Sequence, residues 1–355
     1  MKSKKSRLVL LIIALAILAL VWFGRHRIHF NFGVFVEQLK MADWRRIALG
    51  LGCIYLGYVL RSIRWALLMR HKKPVPVLSL LGTQVMGFTA VALIGRVADL
   101  VRPYLVSKKT GLSLSSQVAV YIVERLFDFG AMAFITCTVI LLAPTGSLPH
   151  PEILRKAGVW GLLATLAGAL FLVAVRVAGG WVARVLGRAF GIISKSAGHA
   201  VESKVHAFHS GLDTIRSVAD FAIAASLSLG MWLLIALSYL ETTLAFVASP
   251  ELSAMTPAKS VLLMVVSGTA SVIQLPILGW FTQIGLVEEA MRHFFGVAPE
   301  AATGCAATLL VVTFLGIIPA GLIWARFDRV SLIKVAEESE HAGEELVHEA
   351  AEPAG

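Results

Sequence analysis

The sequence predicts an all-α polytopic membrane protein, with about six transmembrane helices plus two re-entrant hairpins that can be read as an inverted repeat. Three observations predict it. The 355 residues are 57% hydrophobic and 15% charged, with a mean hydropathy of +0.79, whereas a soluble domain averages about 25% charged residues. Apolar runs long enough to cross a bilayer follow one another between basic clusters. Two further runs, 77–106 and 260–296, are broken by glycine and proline at matching places in the two halves of the chain, the pattern of helices interrupted at a transport site.

Composition also sets limits. Little of the chain is left for a soluble catalytic domain, so an enzyme is the weaker expectation. Cys53, Cys137 and Cys305 lie far apart in apolar runs and read as small core residues, neither a disulfide set nor a metal site. His206 and His209 are three apart but have no third ligand in their neighbourhood. No phosphate-binding glycine loop, nucleophile elbow or zinc motif occurs, and no metal or cofactor is expected. The net charge of +10 hides a split: residues 335–355 hold seven of the 22 acidic residues and no Lys or Arg, leaving 15 acidic against 32 basic side chains elsewhere. In a membrane protein such an excess points to cytoplasmic loops facing anionic lipid, and nucleic acid is not expected as a partner.

In chain order, Lys2, Lys4, Lys5 and Arg7 precede the apolar run Leu8–Phe23. Trp22-Phe23-Gly24-Arg25 offers no small-residue cleavage site, which favours an uncleaved first span over a signal peptide. That span places Arg25, Arg27, Lys40, Arg45 and Arg46 outside, against the positive-inside rule. The second span, Ile47–Met69, ends on Arg70, His71, Lys72 and Lys73, a cytoplasmic stop. The run from Val77 to Val106 starts and returns to basic residues, with Lys108 and Lys109 beyond it, so it reads as a hairpin entering from the cytoplasm. Ser113, Ser115 or Ser116 can cap the next span, Gln117–Ala143. A loop from Pro144 to Pro151 leads to Ala157–Val177. Residues 179–218, with Arg184, Arg188, Lys195, Lys204 and Arg216, read as a basic amphipathic linker on the cytoplasmic surface. Phe221–Val247 is the next span, Ser260–Gly296 the second hairpin, entering from outside, and Thr303–Ala325 the last span. Arg326, Arg329 and Lys334 mark the cytoplasm again, and the Glu-rich tail reads as a solvated or disordered end. The chain thus divides into an integral membrane domain, 1–334, and an acidic cytoplasmic tail, 335–355. The halves are 47–143 and 221–325, and both termini are expected in the cytoplasm.

Arg61 and Arg64 share a face of the second span, with Arg64 about 9 Å and Arg61 about 13–14 Å deep from Arg70 at 1.5 Å per residue. A central Arg costs roughly 2.5–3.5 kcal/mol to insert, so Arg61 calls for a partner. Arg96, Asp99 and Arg102 follow at steps of three: either an internal salt bridge, or a face with one positive charge left over for an anion. Guanidinium suits phosphate, because its planar fork donates two parallel hydrogen bonds. Glu124 and Asp128 share a face at i, i+4, while Arg125 is expected to point elsewhere. The two carboxylates are counter-charges or a proton-coupled site. Buried groups of this kind should face one another or a wet cavity. In the second half Gln274, Pro276, Gln283 and Glu288 cluster around the helix break and are candidates to line the same cavity.

At these residues the chain resembles the lysylphosphatidylglycerol synthase transmembrane region, also called the flippase-like domain family. The resemblance is carried by Arg61-Ser62-Ile63-Arg64-Trp65, by Gly95-Arg96-Val97-Ala98-Asp99-Leu100-Val101-Arg102 and by Glu124-Arg125-Leu126-Phe127-Asp128, and it runs to about residue 330. Two departures stand out. Where the family has proline, arginine, glycine and glutamate, this chain keeps only Arg96, with Asp99 in place of the glutamate. The glycine-rich segment Leu275 through Glu288 holds the bulky Trp280 and Phe281. Members that make aminoacylated lipid carry a soluble transferase domain, which this sequence lacks. The resemblance therefore implies translocation of an anionic lipid or a polyprenyl-phosphate-linked lipid between leaflets of a bacterial inner membrane. Arg61, Arg64, Arg96 and Arg102 would hold the headgroup, with Asp99, Glu124, Arg125 and Asp128 as charge partners. Two alternatives stay open: a membrane-embedded enzyme acting on a lipid phosphate with Glu124 or Asp128 as base, and a non-catalytic partner of a lipid-modifying enzyme.

Overall fold

A computed structural model describes residues 31–144, 148–192, 194–195, 198–203, 205, 215, 217–270 and 278–351, without the side chains of 96–97 and 345–351. The expected first span Leu8–Phe23, His206, His209, Gln274 and Pro276 lie outside the described residues.

Among the described residues the chain is helical apart from short connecting turns, and none of them is in a strand. A short helix absent from the sequence reading, α1 (Phe32–Met41), starts at the Asn31 side-chain cap. Asp43 then caps α2 (Trp44–Met69), accepting from the Arg45 amide at 3.0 Å. α3 (Val77–Ile94) stops at Gly95, whose φ of 96° and ψ of −170° suit only a residue without Cβ. A 3₁₀ turn over Arg96–Leu100 leads into α4 (Val101–Thr110), which Gly111 ends in the left-handed conformation. Of the candidate caps, Ser113 is the one that begins α5 (Leu114–Leu142), accepting from the Ser116 amide. α6 spans Pro151–Gly191 and α7 Val218–Leu244. The second half continues with α8 (Pro250–Ser253), α9 (Pro257–Ala270), α10 (Leu278–Phe295), α11 (Pro299–Thr313), α12 (Ile318–Phe327) and α13 (Leu332–Ala351).

Five of these helices, α2, α3, α5, α6 and α7, are long and apolar enough to cross a membrane, and α11 with the segment through α12 forms a sixth candidate. This is an integral membrane protein.

The structure corrects the sequence reading in three places. The run Thr303–Ala325 is not one straight span: it bends by 40° around Phe314, where a 3₁₀ turn and Pro319 interrupt the ladder. The freed carbonyls find side-chain donors, Tyr55 Oη to Gly316 O at 2.8 Å and Thr89 Oγ1 to Ile317 O at 3.3 Å, as an apolar surround demands. The expected linker from 179 is a continuation of α6 past a break at Ala178 (φ −132°, ψ 40°). Part of its apolar surface is covered by protein, with Val182, Ala183, Val205 and Ile215 buried against Trp65, Leu68 and Val120, while Trp181, Val185 and Phe190 stay exposed as on an amphipathic surface helix. The acidic tail is a helix, α13, whose Leu332 and Val335 sit in one cluster with Met86, Val101 and Leu105.

Both broken segments fold back on themselves. In the first, Arg102 of α4 lies against Gly87 of α3, and Lys109 Nζ reaches Ser79 O at 3.2 Å, so the ends of the hairpin meet. In the second, Gln283 Nε2 of α10 donates to Ser267 Oγ of α9 at 2.6 Å, and Lys259 at the start of α9 lies 5.5 Å from the Phe295 ring centroid at the end of α10.

The two halves are held together by α2 and α7, which pack antiparallel along their length. Asp43 N–H donates to Ala245 O at 2.8 Å, Arg46 pairs with Glu241 at 2.7 Å, Arg64 reaches Ser228, and Arg70 pairs with Asp220. A small residue permits the approach: a Cβ on Gly50 would sit 2.9 Å from Thr242 Oγ1 and 3.3 Å from Ser238 O. The first hairpin opens at the C-terminal end of α2, where Lys73 Nζ holds Thr110 O at 2.6 Å. The second opens beyond the C-terminal end of α7. Since α2 and α7 are antiparallel, the hairpins enter from opposite faces. Each also leans on the other half, α3 against α12 and α9 against α5.

Candidate functional site

The apolar face of α2 is interrupted by Arg61 and Arg64, three residues apart, and both turn inward toward α5. Arg61 Nη1 binds Glu124 Oε1 at 2.9 Å and Asp128 Oδ2 at 3.3 Å. Arg64 binds Asp128 Oδ1 at 2.7 Å and Glu124 Oε1 at 3.0 Å, and donates to Ser228 Oγ of α7 at 2.5 Å. The returning arm α4 brings Arg102 to Glu124 Oε1 at 3.2 Å and to Gln84 Oε1 of α3 at 3.2 Å. The side chains of Arg64, Arg102 and Glu124 are each 1% exposed. A Cβ at Gly87 would collide with the Arg102 side chain, so glycine there lets the guanidinium pass down the hairpin to Glu124.

Arg125 joins this cluster, against expectation. Its Nη2 lies 3.5 Å from Glu124 and 3.4 Å from Asp128, with the side chain 33% exposed. One position from Glu124 it starts on another face, but Asp128 is its i+3 neighbour and the long side chain reaches back. Four guanidinium groups thus surround two carboxylates, and Nε of each of the four has no acceptor among the described residues. A surplus of buried donors is costly unless something accepts them.

Aromatic rings complete the surround. Phe88 lies between Arg61 and Arg102, at 4.7 and 4.4 Å from its centroid. Tyr121 lies 4.9 Å from Arg102 and 5.1 Å from Arg125, distances at which the ring faces attract a cation. Trp65 carries its indole N–H to Gln117 Oε1 at 3.2 Å.

The cluster forms one wall of a cavity of about 430 Å³, where Arg61, Arg125, Asp128 and Asp99 are exposed to the space. Arg64 and Arg102 stand behind that wall, out of the cavity. The opposite wall belongs to the second half: Trp232 and Tyr239 of α7, Met264 and Ser267 of α9, Gln283 of α10 and Thr313 of α11. Glu288 is turned away, bonded to Arg292 at 3.3 Å. Among the sequence candidates the structure thus unites Arg61, Arg64, Arg102, Glu124, Arg125 and Asp128 in one network, sets Asp99 and Gln283 at the same cavity, and leaves Glu288 apart. Arg96 begins the 3₁₀ turn at the hairpin tip.

Sequence reasoning missed Gln84, Phe88, Ser228 and Trp232. Gln84 carried a signal, an amide inside an apolar run; the others are ordinary residues of a membrane helix and acquire meaning only from their neighbours.

No curated protein and no solved structure matches the chain. One family does, over most of its length: the family model described as the lysylphosphatidylglycerol synthase TM region matches residues 8–321. That span takes in Arg61, Arg102, Glu124, Asp128 and both hairpins, and by it the chain belongs to the lysylphosphatidylglycerol synthase TM region family, membrane proteins of lipid biology.

Proposed function

We propose that this protein carries an anionic lipid, a phospholipid or a polyprenyl-phosphate-linked lipid, between the two leaflets of a membrane. The observation that carries the reading is the cavity itself. It lies between two hairpins that enter from opposite faces, with guanidinium groups on one wall and apolar side chains such as Met231 and Met264 across from them. An amphiphile with a phosphate headgroup has that same division of polarity, and two broken helices around a shared site are the architecture of alternating access.

Two further features support it. An apolar cleft of about 600 Å³ between α5, α6 and α7 meets the cavity at Phe129, which lines both, giving an acyl chain a path to the bilayer. The oxygens of Glu124 and Asp128 are already taken up by arginines, an arrangement that suits a counter-charge better than the base of a membrane-embedded enzyme. In this reading Arg61 and Arg125 touch the phosphate, while Arg64 and Arg102 hold the carboxylates. The face bearing Arg70, Lys72, Lys73, Lys108 and Lys109 is cytoplasmic by the positive-inside rule, as are both ends of the chain in a bacterial inner membrane. Association with a lipid-modifying enzyme is compatible with this role.

The test is leaflet exchange in proteoliposomes, followed by reductant quenching of a fluorescent phosphatidylglycerol. Wild-type protein should scramble or flip the probe. Arg125→Gln and Arg61→Lys should slow it by roughly ten- to a hundredfold, the worth of about 1.5–3 kcal/mol from a charge-assisted hydrogen bond. Exchange by purified wild-type protein at the rate of empty liposomes would refute the transport reading.

A further inference from the structure

The first hairpin is backed by α13. The Val330 amide closes the end of α12 on Ala325 O at 2.8 Å, and Arg329, left-handed at a φ of 54°, turns the chain back. α13 then runs along α4 and the 3₁₀ turn. Leu332, Val335 and Ser339 are buried there, and a Cβ on Gly343 would meet Leu100 Cδ1 at 2.6 Å. Glu338 accepts from Tyr104 Oη and Lys108 Nζ, while Asp328 at the turn pairs with Lys109 at 3.4 Å. Val91 and Phe314 line the cavity and also belong to the cluster that seats Leu332 and Val335. A single layer of side chains thus separates α13 from the cavity.

The arm that α13 covers is the one with hinges. Gly95 (φ 96°) and Gly111 (φ 72°) bound residues 96–110, and both sit where a residue without Cβ turns most freely. Between them the arm brings Asp99 to the cavity and Arg102 to Glu124, so moving it would rearrange the charged wall. The strap is also reached by water. Lys334, Glu337, Glu340, His341 and Glu344 on its outer face are all exposed, and charges of that kind do not lie against acyl chains. The Lys108 and Glu338 side chains are 57% and 48% exposed, so their pair is weak and open to screening by salt.

We propose that α13 is an autoinhibitory strap. Docked, it holds the arm where Arg102 binds Glu124; released, it lets the arm swing between its two glycines. The proposal rests on the transport reading of the cavity and adds its control. Leu332 and Val335 supply the hold, and the exposed Glu338 contacts set how readily it lets go, so the signal that the strap reads is ionic strength on its own side of the membrane.

The test uses the full chain in proteoliposomes, with amide hydrogen exchange of residues 96–110 and leaflet exchange of a fluorescent phosphatidylglycerol read side by side. Val335→Asp puts a charge in the apolar seat. It should quicken amide exchange of the arm roughly tenfold or more, with leaflet exchange faster than wild type. Glu338→Lys faces Lys108 with a like charge and should act in the same direction by up to about fivefold, the limit for an exposed pair; it decides the matter should Val335→Asp fail to fold. Raising salt from about 0.01 to 1 M, which shortens the screening length from about 30 to 3 Å, should free the arm in wild-type protein and re-seat it in Glu338→Lys. In a cysteine-free background, Leu100→Cys with Gly343→Cys should cross-link and slow leaflet exchange, and reduction should restore it. Amide exchange of the arm unchanged in the variants would overturn the strap. A freed arm with leaflet exchange no faster, or a cross-link without effect, would overturn it while leaving the transport reading intact. Leaflet exchange absent from wild type and variants alike would remove both together.

Discussion

Glu124 and Arg125 are neighbours in sequence and opposites in consequence. The Glu124 carboxylate is 1% exposed and binds Arg61, Arg64 and Arg102 at 2.9 to 3.2 Å. Replacing it by glutamine leaves three buried guanidinium groups short of a counter-charge. Breaking one side of a buried ion pair costs about 3–5 kcal/mol, so Glu124→Gln should lower the thermal midpoint in detergent by many degrees or prevent folding. Arg125 is one-third exposed, its ion pairs are long, at 3.4 and 3.5 Å, and its ring contact with Tyr121 is at 5.1 Å. Solvent screening holds such a pair to about 1 kcal/mol or less, so Arg125→Gln should fold with a nearly unchanged midpoint and yet bind anionic lipid poorly. Thermal melts of the two variants side by side check the assignment. If Arg125→Gln were as destabilising as Glu124→Gln, the division between a structural carboxylate and a ligand-facing arginine would be wrong.

How much of this was legible in the sequence depends on the element. The end of α2 and the start of α5 were readable, because apolar windows meet Arg70 and Ser113, residues with the chemistry of stops and caps; the start of α2 was read at Ile47, three residues late, because Arg45 and Arg46 hide the cap at Asp43. The hairpin break was readable from Gly95. The partners of Arg61 and Arg102 were not, since nothing local says that α2 turns Arg61 toward Glu124 and Asp128 of α5, or that α4 folds back to lay Arg102 beside Glu124. The C-terminal helix α13 was hidden for another reason: its many glutamates dominate composition, while among the described residues the stripe that docks it is narrow, with Leu332, Val335 and Ser339 buried and Ala336 partly so. That stripe runs along the first hairpin, where Glu338 accepts from Tyr104 Oη at 2.8 Å and Lys108 Nζ at 2.6 Å. The hydrogen bond from Lys108 holds the Glu338 carboxyl below its ordinary range, and the same bond raises Lys108. A lowered carboxylate contributes fully above its unfolded value of about 4.3 and is lost as pH falls through the folded one. The raised ammonium contributes below about 10.4 and is lost only as pH climbs past its folded value. Docking of α13 should therefore be flat from about pH 5 to 10 and weaken in acid. Limited proteolysis of the tail at pH 7 and pH 3.5 tests this: cleavage should quicken in acid by at most about fivefold for wild-type protein, the limit for an exposed ion pair, and Glu338→Gln should be cleaved at the same rate at both pH values. Identical cleavage of the two proteins at pH 7 would count against the latch.

On the scale of the whole molecule, the contacts pair the halves element by element. α2 meets α7 antiparallel, α2 supports α3 as α7 supports α9, α4 packs on α5 as α10 packs on α11, and each hairpin leans on the far half. No residue-level repeat accompanies this symmetry, and none is needed: hydropathy and chain order fix where helices pack, while the site needs charge on one side only. Arginines and carboxylates therefore collect on the first-half wall and neutral donors and acceptors on the second, and the cavity is asymmetric inside a symmetric scaffold. A near-symmetric frame has two equivalent ways to lean, which is what exposure of one site to alternate faces requires. The arrangement makes a topological prediction. Lys109 at the mouth of the first hairpin and Ser253 near the mouth of the second are both exposed and belong to opposite faces. In a cysteine-free background, Lys109→Cys and Ser253→Cys should react with a membrane-impermeant maleimide from opposite sides in intact cells. Lys72→Cys, beside the Lys73 contact to Thr110, should follow Lys109. Labelling of Lys109→Cys and Ser253→Cys from the same side would mean that the hairpins open on one face, and a cavity reached from one side only could bind a lipid but could not hand it across.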